Sequence, residues 1–139
     1  MNILDCTFRD GGYYNNWKFS EDALNQYIHF IKNNPISIIE IGFRFLKKEI
    51  FYGPYAFSSE IFLKSLKLPS KKKISVMINA KDYFEDFNLI NKYFIKQKHS
   101  SVDIVRIAVN YDEYIKCKKI TQRLKKLGYQ IGLNLMKGH

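Results

Sequence analysis

Between Asp5 and Gly12 the chain gathers the residue types that can act on an anionic small molecule. Asp5, Thr7, Arg9 and Asp10 bring two carboxylates, a hydroxyl and a guanidinium together, and Gly11 and Gly12 follow at once. Arg9 offers a permanent cation with a planar fork of donors, while the neighbouring Asp10 carboxylate could hold a cation. The two glycines permit positive φ and leave room for a close approach. Ile3 and Leu4 form a short apolar run just before this group. The run predicts a strand whose carboxyl end carries Thr7, Arg9 and Asp10 on a glycine-hinged turn, and in parallel α/β folds ligands bind at that end. The competing account is a solvated loop in which Arg9 and Asp10 simply face water.

Three further polar positions interrupt apolar runs. Glu40 lies inside residues 37–43, a nearly continuous apolar stretch of the kind that forms a parallel strand covered on both faces. A carboxylate buried there needs a partner, and Arg9 is the expected one; the alternative is a Glu40 near the strand end, facing water. Arg44 follows at the same rim, open between a substrate carboxylate and a surface salt bridge. Arg106 interrupts residues 102–109 and, in a barrel, would point inward to pair with Glu40 or a substrate, or serve as a paired structural arginine. Asn79 falls at the carboxyl end of the strand predicted for residues 73–79, and Asn134 near the end of residues 129–136.

The elements that must position these groups alternate. Ser20 is a helix N-cap, with Glu21 and Asp22 in the first turn. Leu24, Tyr27, Ile28 and Ile31 mark one helix face, and residues 33–35 stop it. Residues 45–58 form a long aromatic connection around Gly53 and Pro54, which either covers the site or packs on a helix. A helix starts at Ser59 with Phe62, Leu63 and Leu66 inward. Asp82 with Glu85, and Asn110 with Glu113, read as capping boxes. Phe87, Ile90 and Phe94 mark one further helix face; Cys117, Ile120, Leu124 and Leu127 mark another, which ends at Gly128. The order is β-α-β-α-β-α-β-α-β, so right-handed crossovers predict a parallel α/β sheet in one domain, residues 1–139.

The run from Leu4 to Trp17, with Asp5, Thr7, Arg9, Asp10 and Gly11 in the pattern Asp-x-Thr-x-Arg-Asp-Gly, resembles the N-terminal signature of the HMG-CoA lyase-like aldolases, the DRE-TIM metallolyases. It is most similar there to the 4-hydroxy-2-oxovalerate aldolase type of catalytic domain. The resemblance implies a TIM barrel, of which five strands are present, a partial barrel. It implies that Asp10 ligates Mn²⁺ or Mg²⁺, that Arg9 stabilises an enolate, that Glu40 supports Arg9, and that Thr7 lines the site. The implied substrate is a 2-oxo acid cleaved to pyruvate or a similar product and an aldehyde, with Arg44, Asn79 and Arg106 as candidate substrate-binding residues. That family also takes two metal ligands from a His-x-His pair. The histidines here are His29, His99 and His139, and none forms such a pair. Asp10 alone makes a poor metal site, so the expectation is a half-barrel completed by further strands or by oligomerisation. A non-catalytic binding or assembly module is the alternative. A flavodoxin-like receiver or nucleotide fold ranks last, since the third strand ends in Asn79 and no Gly-x-x-x-x-Gly-Lys occurs.

Composition bounds the rest. Apolar residues make up 46% of the 139-residue chain and aromatic residues 16%, which excludes a disordered chain. No apolar run approaches the ~20 residues of a membrane span, and no secretory pattern opens the chain. Cys6 and Cys117 lack metal-ligand spacing, so a reduced, cytoplasmic protein is expected. The net charge of +10 is spread over small lysine groups. It predicts a solvated surface with no nucleic-acid face, and a field that favours an anionic substrate.

Overall fold

The computed structural model describes residues 1–47 and 49–137; Lys48, Gly138 and His139 lie outside the described residues. Five strands run in the order of the sequence: β1 (Leu4–Asp5), β2 (Ile38–Phe43), β3 (Lys73–Asn79), β4 (Ile104–Asn110) and β5 (Gln130–Met136). All neighbouring pairs are parallel. The sheet curls into half of an α/β barrel. The helices are α1 (Thr7–Asn15), whose Arg9 reaches the interior Glu40, then α2 (Glu21–Lys32), α3 (Glu60–Ser65), α4 (Leu89–Tyr93) and α5 (Lys118–Leu127).

Strand side chains alternate between faces, and this sorts the sheet chemically. Ile74, Val76 and Ile78 of β3 and Val105, Ile107 and Val109 of β4 are buried on the helix side. Leu24, Tyr27 and Ile31 of α2 and Ile120 and Leu124 of α5 are buried in the same core. The opposite phase, toward the barrel interior, carries Glu40 of β2 opposite Ser75 of β3, and Arg106 of β4 one step further along, opposite Met77. A bulge between Glu40 and Gly42 shifts the phase of β2, bringing Phe43 opposite Met77.

Several predicted elements stand: Ser20 accepts the Ala23 N–H at 3.0 Å to cap α2, and Gly128 ends α5 at φ 105°. Others need correction. Residues 7–15 are a helix, not a hinged turn. The Asp5 carboxylate accepts the Thr7 N–H at 3.0 Å, which satisfies one of the donors orphaned at a helix start. Gly11 and Gly12 keep right-handed backbone. The reversal that was expected of the glycines falls instead on Asn16 and Trp17, both at φ 57°. Asparagine tolerates that region, but a bulky tryptophan does so only when its surroundings hold it there. Neither predicted capping box forms. Ala80–Tyr83 makes a 3-10 turn that buries Ala80 and Tyr83, and α4 begins later, after the Asp86 carboxylate accepts the Asn88 N–H at 3.0 Å. The Asn110 side-chain amide donates to Glu113 at 3.4 Å, and a 3-10 segment, Tyr111–Cys117, precedes α5.

Gly12 is required for space rather than for φ. A Cβ there would sit inside the Trp17 indole, whereas one on Gly11 would meet only Phe19, at 3.7 Å. Gly12→Ala is therefore expected to destabilise the fold by roughly 1–3 kcal/mol through overpacking. Gly11→Ala should be neutral or stabilising by up to ~1 kcal/mol, since alanine is the better helix former. Urea unfolding of the two variants checks this; equal midpoints would remove the steric argument.

Candidate functional site

The site is built around the Glu40 carboxylate, whose side chain is 0% exposed. Arg9 Nε donates to its Oε1 at 2.9 Å. Arg106 Nη1 donates to both oxygens, at 2.8 and 3.0 Å. Ser75 Oγ donates to Oε2 at 3.1 Å. One buried anion thus faces two cations, an arrangement that can be stable when hydrogen bonds satisfy the lone pairs. Arg9 also donates to Asp10 Oδ1 at 3.2 Å. The Asp10 side chain is 66% exposed. Arg9 Nη2 has no partner among the described residues, so it keeps a donor for a ligand. The second nitrogen of Arg106 makes only a long 3.5 Å contact with Asn134.

Arg9 is held from behind as well. Trp17 Nε1 donates to its backbone carbonyl at 2.9 Å, and the guanidinium lies 5.7 Å from the centre of the Phe43 ring. The start of α1 is fixed by Asp5. Its Oδ1 accepts the Tyr27 hydroxyl at 2.6 Å, and its Oδ2 accepts the Thr7 hydroxyl at 3.0 Å. Burial, and next the bond to Asp5, push the Tyr27 phenol well above its ordinary range.

A cavity of about 400 Å³ opens at the carboxyl ends of the strands; none of Arg9, Glu40 and Arg106 lines it, and Trp17, bonded to the Arg9 carbonyl, connects the two. Tyr13, one turn along α1 from Arg9, forms part of its wall with Trp17, Phe45 and Tyr52. Asn16, Asn79 and Asp82 supply polar groups to it, and Lys47 and Glu49 form an ion pair at 2.9 Å on the same wall. The long connection therefore serves both expected ends: Tyr52 reaches the cavity, while Tyr55 packs on Phe8, Phe19 and Phe62 in the helix layer.

Of the predicted residues, Arg9, Glu40 and Arg106 meet, with Asp10 joined through Arg9. Thr7 joins neither the charged group nor the cavity lining, being exposed and bonded to Asp5, whereas Asn79 reaches the cavity. Arg44 belongs to neither. Its side chain is 4% exposed and donates to the Ser58 carbonyl at 2.6 and 3.2 Å, to the Tyr93 carbonyl at 3.2 Å and to Glu60 at 3.4 Å. It also lies 4.7 Å from the centre of the Phe94 ring. Burial lowers its pKa, with Glu60 opposing. It is a structural arginine, neither a substrate ligand nor a surface ion pair. Sequence reasoning missed Ser75, although its register beside Glu40 follows once the strands are aligned. It also missed the roles of Asp5 and Tyr13; Tyr13 had a signal in its four-residue spacing from Arg9 on a helix.

No family model matches the chain. The chain is 24% identical over 140 residues to a Mycobacterium tuberculosis protein named oxaloacetate decarboxylase, which spans 99% of this chain and 39% of that protein. It also superposes on the crystal structure of the N-terminal domain of a provisionally named aldolase from Bacteroides vulgatus. The TM-score is 0.84 at 34% identity, covering 98% of this chain and 44% of that one. The fold is aldolase-like. The chain spans less than half the length of both relatives. No helix among the described residues is long and apolar enough to cross a membrane.

The described residues contain no group of three or more His, Cys, Asp or Glu side chains placed to hold a metal ion. Asp10 is a single exposed carboxylate already paired with Arg9, and His29 and His99 are exposed at other places on the surface. This donor set does not fit a catalytic divalent ion, which needs several ligands.

Removing the Glu40 charge with Glu40→Leu leaves two guanidiniums facing each other, and a loss of about 3 kcal/mol is expected in chemical denaturation. A variant as stable as the parent would show that the anion is not needed. The raised Tyr27 phenol sets a pH dependence. The unfolded chain ionises near the ordinary tyrosine pKa of ~10 and the folded one only above it. Stability is thus complete below pH ~10 and falls as pH rises further. Tyr27→Phe should flatten that fall, read from unfolding curves between pH 8 and 11.

Proposed function

We propose that this chain carries the enolate-stabilising half of a lyase that breaks a carbon–carbon bond in a 2-oxo acid. The observation that supports it is the Arg9 guanidinium at the carboxyl end of β1, held by a fully buried Glu40 and keeping a donor nitrogen unused. The names of the two relatives, a decarboxylase and an aldolase, point to reactions with one step in common. The C3–C4 bond of the 2-oxo acid breaks, and its electron pair passes to C3 and on to the C2 oxygen as an enolate. In a 4-hydroxy acid the C4 hydroxyl loses its proton to a base and C4 departs as an aldehyde. In a 4-carboxylate, C4 departs as carbon dioxide. Protonation of C3 then gives pyruvate in either case when C3 carries no other substituent.

Each residue has a part in that scheme. Arg9 stabilises charge where it develops, on the C2 oxygen. Glu40 is a positioning residue that fixes the Arg9 fork from the side away from the substrate. Arg106 adds a second positive charge, which suits the substrate's C1 carboxylate, and Thr7 would serve at the start of α1, where it is bonded to Asp5. A 4-hydroxy-2-oxovalerate-like acid is the aldolase substrate this reading favours. Asp10 would give one ligand to a divalent cation such as Mn²⁺ or Mg²⁺, but the other donors would have to come from outside the described residues.

A second reading, a binding half-barrel without chemistry of its own, draws on the exposed edge of β5. Leu133, Leu135 and Met136 there are 44%, 50% and 41% exposed, so further strands or a second copy would bury them. Oxalate, a planar mimic of the pyruvate enolate, separates the readings without requiring turnover. Calorimetry is expected to show oxalate binding to the chain and a loss of at least tenfold in affinity for Arg9→Ala. Where pyruvate release is measurable, kcat should fall about 10²–10³-fold. Equal oxalate affinity in the two proteins would sink the lyase reading.

A further inference from the structure

We propose that the cavity walled by Tyr13, Trp17, Phe45 and Tyr52 binds the departing half of the substrate, and that its chemistry selects a neutral, hydroxylated chain. The inference rests on the lyase reading of Arg9 and adds to it the class of substrate: a 2-oxo acid with a polyol tail. Position comes first. Phe43 lies against the Arg9 guanidinium and stacks on Phe45 at 4.4 Å, and Phe45 meets Trp17 at 5.2 Å and Tyr52 at 6.0 Å. Phe43 is itself buried and outside the lining, so a packed aromatic stack links the Arg9 guanidinium to the cavity wall. At about 400 Å³ the space takes several carbons beyond the broken bond.

The polar groups narrow the tail further. Asn16, Asn79 and Asp82 border the cavity, and their side chains have no hydrogen-bond or ion-pair partner among the described residues. Two amides and a carboxylate supply donors and acceptors suited to hydroxyl groups, and aromatic faces suit the C–H surface of such a chain. A plain alkyl tail would strip water from these groups without replacing its hydrogen bonds. A phosphorylated tail would be drawn by the net charge of +10 but would meet the unpaired Asp82, and Lys47, the cation among the described residues of this wall, is engaged by Glu49. A cationic tail would approach against the field of a chain with net charge +10, Lys47 being already neutralised by Glu49.

Trp17 is the chain's single tryptophan, so its fluorescence reports on the cavity. The probes are erythritol, butane-1,4-diol, glycerol 3-phosphate and 4-aminobutan-1-ol, none of which can turn over. Erythritol is expected to give a saturable change, with the other three at least tenfold weaker. Asn79→Ala and Asp82→Ala should each weaken erythritol by threefold or more, and oxalate should leave erythritol binding intact because the two occupy adjacent places. Tighter binding of any other probe, unchanged affinity in both variants, or competition between erythritol and oxalate would overturn the proposal. Erythritol binding in a protein that ignores oxalate would uphold the cavity's selectivity and count against the lyase reading alone.

Discussion

Glu40 is an anion taken wholly out of water, and the arrangement of the barrel interior follows from what keeps it charged there. Its oxygens accept from Arg9 at the start of α1, Ser75 on β3 and Arg106 on β4. A single carboxylate on β2 therefore ties together three other elements. The desolvation cost of such a group is several kcal/mol, recovered only through good geometry and full hydrogen bonding. That requirement fixes the rotamers of both arginines. It also means that the Arg9 fork is already oriented, so under the proposed lyase reading little ordering cost would remain at this residue.

A second constraint holds the other side of Arg9. Trp17 sits at φ 57°, packs its indole where a Gly12 side chain would be, and bonds to the Arg9 carbonyl. The long connection closes over this turn at Gly53, whose N–H donates to the Asn16 carbonyl at 2.7 Å and whose bare Cα lies against the Trp17 carbonyl. The left-handed backbone at Asn16 and Trp17 is thus held by contacts from α1 and from the 45–58 segment together. The same contacts bring Tyr52 and Phe45 to the cavity wall, so the strained turn and the cavity have one origin.

The two faces of the sheet carry different duties. On the helix side, branched aliphatic residues supply the burial that stabilises the half-barrel, and Arg44 is a buried cation answered by backbone carbonyls and Glu60. On the interior side, charge replaces packing. The exposed apolar residues of β5 lie at the margin where the curl of the sheet is open, and covering them would bury the interior group more deeply. Deeper burial would strengthen every ionic contact at Arg9, because the local dielectric falls as water is excluded.

Periodicity alone determined most of the fold. Alternating apolar strands and amphipathic helices gave five parallel strands joined by helical connections, because burial periods of two and of about 3.6 are properties of local backbone geometry. The Asp-x-Thr-x-Arg-Asp-Gly run was visible as a polar cluster, and the need of a buried Glu40 for a cation pointed to Arg9. Tertiary structure decided the rest. Whether Arg44 faced a ligand or the core depended on a bulge between Glu40 and Gly42, a pairing irregularity between strands with no local signal. Whether residues 7–15 turned or coiled depended on Asp5 capping them and on Trp17 filling the space beside Gly12. The joining of Arg9, Ser75 and Arg106 on one carboxylate spans 31 to 66 residues of sequence. Such contacts are set by strand register, and register exists only once the sheet has formed.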